Sequence, residues 1–174
     1  RVAQLLRVRH LALDRAAERA RITSVPGFHV QRPPLGVGLG RAKLTGANAA
    51  GLADGADVII DGTDSFPARF VLNDLSIQRG IPWIFAGVVG AEAQIMAIVP
   101  GRTRCLRCVF DAPPPPCVDP SCRTAGVLGP AVAAVASLQA MEAIKILSGH
   151  ADRVRGDLVK FDLWTGQVQR IDVS

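Results

Sequence analysis

Asp61, Thr63, Asp64 and Ser65 crowd a short polar stretch directly behind an apolar, β-branched run, and Cys105 and Cys108 stand three apart further along the chain. Each grouping has a definite chemistry. A carboxylate just past the end of a buried strand faces the edge where open α/β sheets bind ligands. There Asp64 can hold a Mg²⁺ ion that bridges the phosphates of a bound nucleotide and neutralises charge as a phosphate group departs. A structural reading competes with this one: Asp64 would cap the helix that begins near Phe66. Spacing alone weights the two equally. Asp61 is expected to order the turn. Arg69, on the following helix, can face a phosphate or serve as an ion-pair partner.

The C-x-x-C of Cys105 and Cys108 supplies two corners of a tetrahedral zinc site. A redox pair has the same spacing but opens a helix after a strand, whereas here the proline run Pro113–Pro116 follows. Cys117 and Cys122 are candidates for the other two corners. Cys122 also precedes the apolar helix expected from Gly126, where N–H groups at the helix start favour a thiolate; the alternative is an ordinary buried cysteine. Cys117 is expected to be an incidental surface thiol. His10, His29 and His150 are scattered without metal-ligand spacing.

The elements that must position these groups are legible in outline. A short helix is expected over Thr45–Ala53, with Thr45 as its cap. Asp57–Asp61 reads as a buried parallel strand, and Phe66–Arg79 as a helix ended by Gly80-Ile81-Pro82. Trp83–Val89 and Ala93–Val99 read as strands, Gly126–Leu147 as a long apolar helix, and Leu158–Leu163 with Gln167–Val173 as a hairpin about Thr165-Gly166. Strand, helix, strand over residues 57–89 makes a βαβ unit and therefore a parallel pair. The class is α/β.

Composition limits the alternatives. The hydrophobic share is 49% and the mean hydropathy +0.27, with 5% aromatics and no tyrosine, so Ala, Val, Ile and Leu must build most of the core. A net charge of +5 and a pI near 9.6 invite a nucleic-acid reading. The distribution argues against it: residues 1–43 hold nine Lys or Arg against two Asp or Glu, and residues 44–174 hold eleven against thirteen. The basic segment is expected to be a helix plus linker, or poorly ordered. No apolar signal core opens the chain, and the run Ala125–Leu138 falls short of the ~20 residues that span a bilayer. A cytoplasmic protein without nucleic-acid or membrane partners is expected.

The segment Asp57–Asn73, DVIIDGTDSFPARFVLN, resembles the signature of the ThiF/MoeB/HesA family, which is related to ubiquitin-activating enzymes. That signature is a hydrophobic strand, then D-x-T-D-N, then an Arg and an Asn on the next helix. Gly87–Gly90, Ala93-Gln94, Pro100-Gly101, Cys105–Cys108, Ser121–Pro130 and Leu138–Lys145 follow in the family's order. The resemblance spans residues 44–174, with Ser65 standing where the pattern has Asn.

The resemblance implies a Rossmann-like fold, mostly parallel with C-terminal antiparallel strands, from which the first βαβ half is missing. With that half would go the Gly-rich nucleotide loop and the Arg and Lys that grip ATP. Gly36–Gly40 follows no strand and does not replace it. Residues 1–43 are foreign to the pattern. The implied activity is ATP-dependent adenylylation of the C-terminal glycine of a ubiquitin-like sulfur carrier of the ThiS or MoaD type, serving thiamine, molybdopterin or related biosynthesis. Asp64, Ser65 and Arg69 would face Mg-ATP, and Cys122 would be the reactive thiol. Cys105 and Cys108 would hold zinc, in a site the family completes with a second C-x-x-C beyond a hairpin like 158–173. A cysteine desulfurase or rhodanese would donate sulfur, and a homodimer is implied. The alternative is a degenerate, non-enzymatic module that binds the carrier or dimerises. An NAD-dependent oxidoreductase is disfavoured, because no G-x-G-x-x-G follows a strand.

Overall fold

The structure, a computed structural model, describes residues 44–113 and 125–173. The basic segment 1–43 and both Cys117 and Cys122 lie outside the described residues. The elements are α1 (Gly46–Leu52), β1 (Ile59–Ile60), α2 (Phe66–Arg79), β2 (Trp83–Val89), β3 (Glu92–Ile98), α3 (Gly129–Leu147), β4 (Leu158–Asp162) and β5 (Gln167–Ile171).

One five-stranded sheet, ordered β1-β2-β3-β4-β5, forms the middle layer. Both of its faces are covered, so successive side chains along a strand enter different cores. Trp83 and Phe85 point to one side, with Ile59, Met96 and Ile98, where α1, α2 and Leu106 pack. Ile84 and Ala86 point to the other, with Val58 and Ile95, beneath Val135 and Ala143 of α3. The Trp83 and Phe85 rings meet edge to face at 6.0 Å, a geometry worth about 0.5–1.5 kcal/mol beyond burial.

Local chemistry sets the helix ends. Ser65 caps α2, its Oγ accepting from Ala68 N–H at 3.5 Å, and a proline stands in the first turn, where its missing N–H costs nothing. Gly80 closes the helix at φ +66°, a left-handed position that favours glycine. The inner stripe of α3 is Ala131, Val135, Gln139 and Ala143, spaced four apart.

The C-terminal strands are antiparallel, as expected, and among the described residues they outnumber the parallel pair. β1 and β2 are parallel, but β2–β3, β3–β4 and β4–β5 are all antiparallel. The parallel character rests on the one crossover helix between sheet neighbours, α2; a tight turn at Gly90-Ala91 reverses the chain into β3. The apolar run also proves longer than Ala125–Leu138. Gly129–Leu147 is by length and composition sufficient to cross a membrane, yet its inner stripe is packed on the sheet. Its outer face leaves Val132, Met141 and Ile144 between 43% and 53% exposed.

Candidate functional site

β1 stops at a splice made of side chains. The Asp61 N–H donates to Ile84 O at 3.0 Å, the last ladder bond before the chain turns away. Side chains then take over the backbone groups that the ladder would have paired. The Asp61 carboxylate accepts from Thr63 N–H at 2.8 Å and from Ala86 N–H. Arg69 meets the same carboxylate through Nε at 3.3 Å, and its Nη2 donates to Thr63 O at 2.9 Å and Ala86 O at 3.1 Å. From the opposite layer, Gln139 Nε2 donates to Asp61 O at 2.9 Å and Ile84 O at 3.0 Å.

This splice is dry. The Asp61 side chain is fully buried and that of Arg69 is 9% exposed. The guanidinium lies against the Phe66 and Phe85 rings, 5.1 and 5.3 Å from their centroids. Burial pushes the Asp61 carboxyl above the ordinary carboxylate range, outweighing Arg69 and the N–H donors, which pull it down. Arg69 therefore holds the turn together through Nε and Nη2. Asp61 orders that turn, as its position suggested.

Beyond the splice the loop carries Asp64 to the surface at the carboxyl edge of the β1/β2 pair. Ser65, not Asp64, caps α2, and Asp64 is exposed. It stands at a cleft of about 690 Å³ whose walls include Arg69, Gly87, Gln94, Phe110 and Lys160. Gly87 keeps the floor open: a Cβ there would lie 3.0 Å from Gln94 Nε2 and 3.4 Å from Arg69 Nη2. Asp64, Ser65 and Arg69 are thus gathered at one edge.

Cys105 and Cys108 lie elsewhere, on a knuckle docked against α2. Leu106 is buried at its centre, and its N–H donates to the buried Asn73 Oδ1 at 2.8 Å. Arg107 forks onto Asp74 at 2.8 and 2.7 Å and covers the Phe70 ring. That fork holds the Asp74 carboxyl below the ordinary range. The two Sγ atoms are 3.7 Å apart, close to the ~3.8 Å edge of a tetrahedron with Zn–S bonds of ~2.3 Å. No group of three or more metal-binding side chains occurs among the described residues. Phe110, just past the knuckle, packs edge-on against Phe66 at 5.6 Å and brings the knuckle's exit into the cleft wall.

Gln139 and Asn73 carry much of this geometry without having been marked as functional. The only signal was their place in motifs: Asn73 ends the Asp57–Asn73 signature, and Gln139 falls within Leu138–Lys145. Their partners are far away in sequence.

Helices on both faces of one sheet, with an acidic loop at the carboxyl end of a parallel pair, define a Rossmann-like α/β domain. Residues 29–174 match the ThiF family, and the chain belongs to it. The match begins inside the basic amino-terminal segment. The chain is 36% identical over 124 residues to the sulfur carrier protein ThiS adenylyltransferase of Bacillus subtilis, covering 71% of this chain and 36% of that protein. It is 34% identical over 136 residues to the sulfur carrier protein adenylyltransferase of Thermus thermophilus, covering 75% and 50%. It thus spans between a third and a half of these relatives. The fold is shared with Escherichia coli MccB in its ATP complex, with a TM-score of 0.61 at 17% identity over 76% of this chain and 41% of that one.

Proposed function

We propose that this chain supplies the carboxyl-edge part of an adenylylation site. Its substrate is the C-terminal glycine carboxylate of a ubiquitin-like sulfur carrier. One observation carries the reading: the splice at Asp61 uses up Arg69 and Gln139 internally and presents Asp64, free of the capping role, over an open cleft. The names of the two sulfur carrier adenylyltransferases support the substrate class. In this reading Asp64 would hold Mg²⁺ for the nucleotide, Ser65 would offer a hydroxyl beside it, and Arg69 keeps their loop in place. ATP and magnesium supply the activated phosphate; the chain's own residues bind, orient and hold charge at the edge. The chain spans between a third and a half of these relatives, and in this reading the phosphate-gripping loop, Arg and Lys that the resemblance implies lie outside it.

The thiamine and molybdopterin pathways both remain within this reading, with a desulfurase or rhodanese as sulfur donor and the cytoplasm as location. Cys122 is assigned the reactive thiol on its motif alone. The exposed outer face of α3 supports a homodimer.

Mg-ATP titrated into the chain is expected to bind with a dissociation constant of about 1 mM or weaker, the level of a partial site. Mn-ATP should broaden the amide signals of Asp64–Phe66 and Gly87. Low-micromolar binding would overturn the half-site, and absence of any broadening at these residues would favour the non-enzymatic carrier-binding module.

Cys105 and Cys108 fit two corners of a zinc tetrahedron, and structural zinc takes four ligands. The purified chain is therefore expected to carry substoichiometric zinc by elemental analysis. One tightly held zinc per chain would instead bring Cys117 and Cys122, or a second chain's pair, to the remaining corners.

A further inference from the structure

We infer that Gln139 is a positioning residue for the candidate site: from the opposite side of the sheet it fixes the point at which the loop carrying Asp64 leaves β1. This inference rests on the reading of Asp64 as ligand-facing. An amide buried 5% exposed in the apolar stripe of a helix needs a reason. Ala131, Val135 and Ala143 fill the rest of that stripe with apolar groups. Gln139 instead extends its Nε2 to two carbonyls on two strands, Asp61 O and Ile84 O. Ile84 O is already the acceptor of the last ladder bond, from Asp61 N–H. Asp61 O is the first carbonyl of β1 beyond that bond. Both acceptors thus sit at the one place where the parallel pair comes apart.

The two sides of the splice do different things. Arg69 and the Asp61 carboxylate hold the turn from the α2 layer through Thr63 and Ala86. Gln139 holds the backbone beneath it from the α3 layer. With only the first set, the Asp61 carbonyl would be buried without a partner, and the strand end could rotate to seek one. Three residues further on, that rotation would displace Asp64. An apolar residue at position 139 would pack as well as its neighbours in the stripe, so packing alone does not account for a glutamine there.

Two variants test this in the full chain, read by site-resolved amide exchange. In Gln139→Met, protection at Asp61 and Thr63, whose N–H groups are hydrogen-bonded in the splice, should fall about tenfold, the equivalent of one net hydrogen bond, while β3 and β4 keep theirs. Gln139→Glu keeps the shape, but an ionised carboxylate faces two carbonyl oxygens and can only accept. Burial raises such a group's pKa, and the protonated form again donates one bond. Its loop protection should therefore return as pH falls and be lost as pH rises. The charged groups that share this environment are Asp61 and Arg69 across the splice and Glu142 and Lys145 on α3, while β2 offers only apolar side chains and Gly87. Wild-type chain over the same pH range therefore gives the background of their titration. Unchanged protection at Asp61 and Thr63, or an equal loss throughout the sheet with no pH-dependent recovery, would overturn the inference. Failure of Mn-ATP to reach the wild-type loop would overturn the nucleotide reading and leave the loop result standing.

Discussion

Replacing Arg69 with leucine is expected to destabilise the domain by about 3–5 kcal/mol, the cost of leaving a buried charge without its partner. The geometry argues for the full effect. The Asp61 side chain has no exposure and that of Arg69 has 9%, so solvent screens neither. Leucine would restore apolar contact with Phe66 and Phe85 but none of the donors. The Thr63 and Ala86 carbonyls would lose Nη2, and the carboxylate would keep only N–H donors. Urea unfolding followed by tryptophan fluorescence gives the number, and a loss under about 1 kcal/mol would place the pair among weak surface bridges.

The effect has a pH signature with a definite sign. In the native protein burial already raises the Asp61 pKa, with Arg69 the first of the opposing influences. A raised folded pKa means that the stabilisation linked to protonation is fully present below the unfolded value of about 3.9 and is lost as pH rises through the folded value. Without Arg69 the folded value climbs further. The penalty in Arg69→Leu should therefore be largest near neutral pH and shrink on acidification towards pH ~4. The double variant Asp61→Asn with Arg69→Leu removes the charge as well, and should recover part of the loss at neutral pH while losing the pH dependence.

Much of the scaffold was legible in the sequence because its boundaries depend on local chemistry. The bounds of α2 fall at the residues expected, since Pro67 and Gly80 act on their own turns. Strand β2 follows Pro82, which cannot donate to a ladder, and matches its expected span as well. The expected strand over Asp57–Asp61 shrinks to Ile59–Ile60; at its carboxyl end the Asp61 side chain takes N–H groups that a longer ladder would use. The strands after the βαβ unit were expected to be antiparallel, and β3, β4 and β5 are. Periodicity reports only which face a residue takes; the parallel pair followed from the strand, helix, strand order over residues 57–89.

The site divides along the same line. Asp61, Asp64, Ser65 and Arg69 lie within nine residues of one another, so their proximity follows from a strand turning into a helix. Asn73 contacts the backbone at Leu106, and Gln139 contacts that at Asp61 and Ile84. No local pattern encodes such pairs. In a helix as apolar as α3, a single glutamine reads from sequence as a tolerated polar residue.

Replacing Asp64 with asparagine should show the opposite pattern to Arg69: little change in stability and a large loss of activity. Asp64 is exposed, Ser65 does the capping, and the splice closes without it, so the stability change should stay within about 0.5 kcal/mol. Asparagine keeps the shape but removes the negative charge with which, in the proposed reading, Asp64 would hold a divalent ion. In the proposed reading the nucleotide loop lies outside the matched residues, so the measurement uses a chimaera that joins residues 44–174 to the amino-terminal part of a sulfur carrier adenylyltransferase. ATP–pyrophosphate exchange with the carrier present should then fall on the order of 10²–10³-fold, the rate equivalent of about 3–4 kcal/mol of metal-borne charge stabilisation. Carrier binding, measured separately, should be unchanged, because the proposed role of the carboxylate is on the phosphates and not on the docking surface. Exchange within a factor of about two of the parent chimaera, less than 0.5 kcal/mol of barrier, would remove Asp64 from the reaction. A matching drop in melting temperature would make it a structural residue of the turn.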